Sequence, residues 1–138
     1  MAETPTEQRV RRYWEEFWSK GDRSAVDELY GETFRLNGED TSRDEWTEGA
    51  ERWRSKFSDI RVEVDKLFSS GEAVISRIVF RGTHTGDLTW LPATGKSFEV
   101  GGIDIFEFDD GRVVDHWHEV DHLELFEQLG AEMRPATA

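Results

Sequence analysis

Apolar residues recur at helical spacing over the first third of the chain and at alternate positions over most of the rest. Thr4-Pro5-Thr6-Glu7 has the form of a helix start, with Thr as N-cap, Pro in the first turn and Glu at the third position. Val10, Tyr13, Trp14, Phe17 and Trp18 then form a broad aromatic stripe, which Gly21 ends. Asp22 to Tyr30 predicts a second, short helix that buries Ala25, Val26 and Leu29 and stops at Gly31. Phe34 to Leu36 reads as a short extended piece. Ser42-Arg43-Asp44-Glu45 repeats the capping pattern and opens a third helix with Trp46, Ala50, Trp53 and Phe57 on one face.

At Ile60 the period changes to two. Ile60, Val62 and Val64 alternate with Arg61, Glu63 and Asp65, which predicts a half-buried strand. Strands are also predicted over Ala73 to Thr83, Ser97 to Phe108 and Arg112 to Val120, with Asp110-Gly111 turning the last pair into a hairpin. Leu123, Leu125, Phe126 and Leu129 predict a closing helix that ends at Gly130, and residues 130–138 are expected to fray. Helices first and strands afterwards define an α+β domain, with helices covering one face of a curved antiparallel sheet. No linker or repeat divides residues 1–138.

Composition narrows the function. At 138 residues, with six Trp and nine Phe, the chain is long and aromatic enough to fold around a core. There is no cysteine, so thiol chemistry, disulfides and Cys-ligated metals are excluded. The net charge of −13 sets it against nucleic acid and anionic membrane, both of which need basic surface. With 30 acidic residues and 17 basic ones, the surface suits either a high-salt cytoplasm or an ordinary acidic protein. The N-terminus lacks the form of a signal peptide, and a cytoplasmic setting is expected. No GxGxxG, P-loop, GxSxG or HExxH occurs, which argues against nucleotide, flavin and serine-hydrolase chemistry.

The candidate chemistry lies between Arg81 and Asp121. Asp121 fits two roles: an acid/base carboxylate at a pocket mouth, or the N-cap of the last helix through the Asp121-His122-Leu123-Glu124 spacing. Strand alternation puts Asp104 on a face with Phe106 and Phe108, where a carboxylate must be paired or useful. His116 and His118 share one strand face, a spacing that can bind a metal only if further ligands converge. A His–Asp pair within a pocket fits the spacing better than a metal, and a simple exposed pair better still. On a regular strand Asp121 points away from His118, whereas a bulge or an early helix start reverses that, and the spacing leaves both open. His84 shares parity with Ile78, Phe80 and Gly82, so it faces the core side, either toward a substrate oxygen or as a hydrogen-bonded core histidine. Trp14, Trp18, Trp46 and Trp53 can line an aromatic cavity, with Trp90, before Pro92, as its lid.

These motifs together resemble the SnoaL-like polyketide cyclases, within the superfamily named after nuclear transport factor two. The resemblance runs through Gly82-Thr83-His84-Thr85-Gly86, Pro92-Ala93-Thr94-Gly95-Lys96 and Gly102-Ile103-Asp104-Ile105-Phe106. It continues over Asp110-Gly111-Arg112-Val113, His116-Trp117, Asp121 and Gln128-Leu129-Gly130. It implies a cone-shaped sheet wrapped around N-terminal helices, an apolar pocket, and pairing of two copies through the outer sheet face. It also implies an intramolecular aldol closure of a hydrophobic carbonyl compound without metal or cofactor, with Asp121 as the acid/base residue. His84, Asp104 and His118 would then be supporting polar groups, and Trp14, Trp18, Trp53, Trp90, Phe106, Phe108 and Trp117 would form the substrate pocket. Isomerase, dehydratase and epoxide-hydrolase variants, or a non-catalytic carrier of a lipophilic ligand, use the same equipment.

Overall fold

The computed structural model describes residues 2–132 and 134–136, so the tail expected to fray lies partly outside the described residues. Helix α1 (Pro5–Arg12) opens with the capping box read from the sequence, the Thr4 side chain and the Glu7 side chain each accepting from the other's backbone N–H. The helix then widens into a π-helical segment, Tyr13–Trp18. Tyr13, Trp14, Phe17 and Trp18 are all buried, as the helical spacing of the stripe requires.

Helix α2 (Ser24–Leu29) leads directly into strand β1 (Tyr30–Leu36), and β1 turns back as β2 (Glu39–Ser42). Asn37 and Gly38 both have positive φ, the conformation that a tight two-residue hairpin turn demands. Helix α3 (Arg43–Arg54) follows, N-capped by Ser42 accepting from the Glu45 N–H at 3.1 Å. Strands β3 (Phe57–Ser70), β4 (Ala73–His84), β5 (Ser97–Asp109) and β6 (Arg112–Val120) form the expected meander, and α4 (His122–Gln128) closes the described fold.

The strand order is β2-β1-β6-β5-β4-β3. The expectation of an antiparallel sheet needs one correction, because β1 pairs parallel with β6. The chain enters β1 directly from α2 and runs in the same direction as β6. The sheet is curved and does not close, its long strands bending where register shifts interrupt the β3–β4 and β5–β6 ladders. The inner face packs on α1, the π segment and α3, placing Val62, Ile78, Phe80, Phe98, Val100 and Phe106 in one core with Tyr13, Trp14 and Phe17. No helix among the described residues is long and apolar enough to cross a membrane.

Candidate active site

A cavity of about 190 Å³ lies between the helices and the inner sheet face. Trp14, Trp18, Trp46, Trp53 and Phe80 supply its aromatic walls, and His118 and His122 supply its imidazoles.

Strand register builds the polar floor. On β5, burial alternates without a break from Phe98 to Phe108, so Asp104 faces inward with Phe106 and Phe108, as its parity predicts. The partner strand places His118 directly across from Asp104, and His116 across from Phe106. Asp104 is fully buried, and its Oδ2 lies 2.6 Å from His116 Nε2 and 2.7 Å from His118 Nδ1. On its other side His116 Nδ1 lies 2.8 Å from the Tyr30 hydroxyl. The His116 ring stacks on Phe106 with centroids 4.2 Å apart.

The chemistry of these groups fixes the direction of each bond. Burial alone would push the Asp104 carboxyl up, but hydrogen bonds from His116 and His118 and their nearby charge outweigh it, and Asp104 is held below the usual carboxylate value. It is therefore a carboxylate and can only accept. Both facing imidazole nitrogens must then carry the proton. Burial keeps His116 below the ordinary histidine value in spite of Asp104, so it is neutral near pH 7. Its Nδ1 is consequently a bare acceptor, and Tyr30 donates to it. Burial acts on His118 in the same downward sense, but the bond to Asp104 and the charge of that carboxylate win, and His118 is raised. With Nδ1 committed to Asp104, the remaining nitrogen of His118, Nε2, is left for the cavity that His118 lines.

Further buried polar atoms crowd this floor. The Tyr13 hydroxyl, the Trp18 and Trp46 indole nitrogens and Asp104 Oδ1 all lack a hydrogen-bond partner among the described residues. Burial first, and then the Asp104 charge, push the Tyr13 hydroxyl well above the ordinary tyrosine value, while the Tyr30 hydroxyl and the Trp18 and Trp46 N–H groups oppose that rise. Each unsatisfied buried group costs on the order of 1–3 kcal/mol, and their concentration here marks the floor as a place where stability is given up. Asp104, His116 and His118 bring three possible ligand atoms within 4.8 Å of one another, so they are the residues that could surround a metal ion. The distances from Asp104 Oδ2 to the two imidazole nitrogens are nevertheless those of hydrogen bonds, each accounted for by an N–H.

The other residues singled out in the sequence are distributed differently. Asp121 does not reach the cavity. It caps α4, with Oδ1 accepting from the Glu124 N–H at 3.0 Å, and lies in a shallow groove on the outer sheet surface beside Arg77 and Gly102. The regular run of β6 from His116 to Val120 turns it away from His118, as strand parity requires. His84 is buried but outside the cavity, with Nδ1 held by Thr94 and its ring packed on Phe57 at 5.7 Å. Trp14, Trp18 and Trp53 line the cavity as expected, whereas Phe106 and Phe108 are core beneath it. Trp117 is on the outer face, its indole donating to Glu107 at 2.8 Å, because its parity is opposite to that of His116 and His118. Trp90 packs edge-on against Phe126 at 4.8 Å but remains 57% exposed, so it does not cover the cavity. Sequence reasoning missed Tyr30, 86 residues from His116, and the place of His122 in the cavity wall. No spacing pattern announces Tyr30, but His122 was legible as the first residue after the α4 cap.

This fold belongs to a known class. The family model for SnoaL-like polyketide cyclases matches residues 8–129, and the chain belongs to that family. A segment of 61 residues, 44% of this chain, is 34% identical to aklanonic acid methyl ester cyclase DnrD of Streptomyces peucetius and covers 42% of that protein. The chain thus spans less than half the length of the curated relatives it matches. TsrD from Streptomyces laurentii superposes with a TM-score of 0.85 at 28% identity, covering 96% of this chain and 100% of that one. IdmH from Streptomyces antibioticus gives 0.78 at 26% identity, covering 94% and 100%.

Proposed function

We propose that this protein catalyses a cyclase-type ring closure of a hydrophobic carbonyl compound, an intramolecular aldol reaction driven by proton transfer at the Asp104–His118 pair. The observation that carries this reading is a buried carboxylate holding one imidazole by Nδ1 while the same imidazole lines an apolar cavity. A simple carrier of lipophilic ligands gains nothing from an ionised carboxylate at zero exposure, which is costly to bury. In the proton-transfer reading Asp104 fixes the His118 tautomer and stabilises the imidazolium, so that Nε2–H can be given to an alkoxide forming in the cavity.

The enclosed volume of about 190 Å³ is below the roughly 300–1,000 Å³ of pockets that enclose drug-sized ligands. The reacting ring therefore enters and the rest of the substrate stays at the mouth. Aklanonic acid methyl ester, named for the curated relatives, is one compound to assay, and a shorter aryl diketone able to close the same kind of ring is the other.

Formation of the ring-closed product is followed by liquid chromatography and mass spectrometry. Wild type is expected to turn over at least one of the two compounds, and His118→Gln to slow it by about 100-fold or more, the usual scale of a lost acid/base group. An unchanged rate in His118→Gln defeats the proposal. Tight binding of both compounds without turnover would favour the carrier instead.

A further inference from the structure

Closing a ring by aldol chemistry takes a proton from carbon and gives one to oxygen, and the Asp104–His118 pair presents a single Nε2 for both steps. A second imidazole stands in the same cavity wall. His122, the first residue of α4, lines the cavity with His118, Trp53 and Val120. Its ring is held by aromatic contacts, stacked on Phe126 at 6.0 Å and 19° and edge-on to Trp53 at 6.1 Å and 89°. Such contacts fix the ring plane without occupying its nitrogens.

We propose that His122 is the catalytic base of this cavity and His118 its acid partner, so that the substrate lies between the two imidazoles with an acidic C–H toward one and an acceptor carbonyl toward the other. The assignment rests on the proton-transfer reading of the Asp104–His118 pair. The atoms balance without a co-reactant. The bare nitrogen of His122 takes the proton, and the C–H electron pair becomes that of an enolate. The enolate carbon forms the new C–C bond to the second carbonyl carbon, whose π pair moves onto oxygen. The resulting alkoxide takes the Nε2 proton of His118, and solvent at the mouth returns a proton from His122 to His118.

The electrostatics separate the two roles. His122 keeps an exposed edge, and the partial burial of its ring, followed by the charge of His118, holds it below the ordinary histidine value. The charged groups that act on it besides His118 are Asp121 and Glu119, which oppose the shift without reversing it, and α3 packs on it through the uncharged Trp53. His118 is moved the opposite way by Asp104. The two shifts run in opposite directions, so between the two transitions the first ring is bare while the second carries its Nε2 proton, the combination that a base and an acid in one site require.

The probe is 2-tetralone, a two-ring ketone with an acidic benzylic C–H beside its carbonyl, incubated with the full chain in D₂O and followed by proton NMR. Wild type is expected to exchange its α-protons at least tenfold faster than free imidazole at the same concentration. The pH profile should rise through the His122 transition below about 6.5 and fall through the His118 transition above it. His122→Gln is expected to lose at least tenfold of that rate and the rising limb, at an unchanged melting temperature. His118→Gln is expected to keep the rising limb and lose the falling one. A His122→Gln variant with wild-type rate and profile overturns the assignment and leaves the Asp104–His118 pair standing. No acceleration by wild type overturns the assignment and the proton-transfer reading beneath it together.

Discussion

Asp121 and Asp104 have the same side chain and opposite surroundings. Asp121 is exposed, with one oxygen given to a helix-terminal N–H, while Asp104 is sealed beneath two imidazoles. A cap of this kind is worth about 1 kcal/mol and is satisfied equally well by Asn. Asp121→Ala is therefore expected to lower unfolding stability by about 1 kcal/mol in urea titration. Asp121→Asn should hold wild-type stability and still catalyse 2-tetralone exchange, with the rising limb of the pH profile moved to lower pH because a charge that raised His122 is gone. Exchange abolished in a folded Asp121→Asn variant would return the acid/base role to Asp121. The sequence carried both readings of this residue, and nothing local to it decided between them. What decides is strand parity from His118 onward, together with the cross-strand register that puts Asp104, not Asp121, next to an imidazole.

At the scale of elements, the β1–β2 turn holds the site strand in place. The Asn37 N–H donates to His116 O at 2.9 Å, and its side-chain Oδ1 accepts from the His118 N–H at 2.8 Å. One turn residue thus fixes the backbone of both imidazoles. On the other side, β5 lies close to β6 because Gly102 has no side chain: a Cβ there would meet Val120 Cγ2 at 2.9 Å. Asn37→Gly keeps the positive φ and removes only the side-chain clamp. It is expected to cost about 1 kcal/mol of stability and to broaden the His118 ring signals in NMR while those of His84, held elsewhere by Thr94, stay sharp. Equal sharpness of both would show that the clamp does not position His118. The meander β3–β6 and the Asp110-Gly111 hairpin were legible from alternation and turn chemistry alone. Asn37-Gly38 is an equally strong turn signal, but the polar strand after it, Glu39–Ser42, lacks the apolar alternation that marks a half-buried strand. The parallel β1–β6 pairing joins segments some 80 residues apart and leaves no local trace, which is why Tyr30 was invisible as a partner of His116.

The whole molecule presents an acidic surface, and an apolar row interrupts it on the outer sheet. With a net charge of −13, much of the outer sheet is charged, and Arg77 pairs with Asp65 at 2.7 Å while Arg81 bridges Glu63 and Glu99. Beside these charges, Ile103, Ile105 and Trp117 stand 54%, 37% and 41% exposed on the same outward face of β5 and β6. Ile105 and Trp117 are direct cross-strand neighbours, and Ile75 continues the row on β4. A row of apolar side chains on an otherwise charged sheet marks an interaction surface. We propose that it is covered by a second copy of this chain, related by a two-fold axis that sets the same row against itself. Two copies of equal negative charge repel, so added salt should strengthen the association by screening that repulsion, whereas a contact made by ion pairs would weaken. Light scattering after size exclusion is expected to give twice the mass of one chain, with dissociation on dilution suppressed by KCl. Ile103→Asp should return the mass to that of one chain without changing the circular dichroism or the 2-tetralone exchange rate, because the cavity and its two imidazoles lie on the inner face. A wild-type protein that remains single at high concentration in KCl would show that this row meets something other than its own copy.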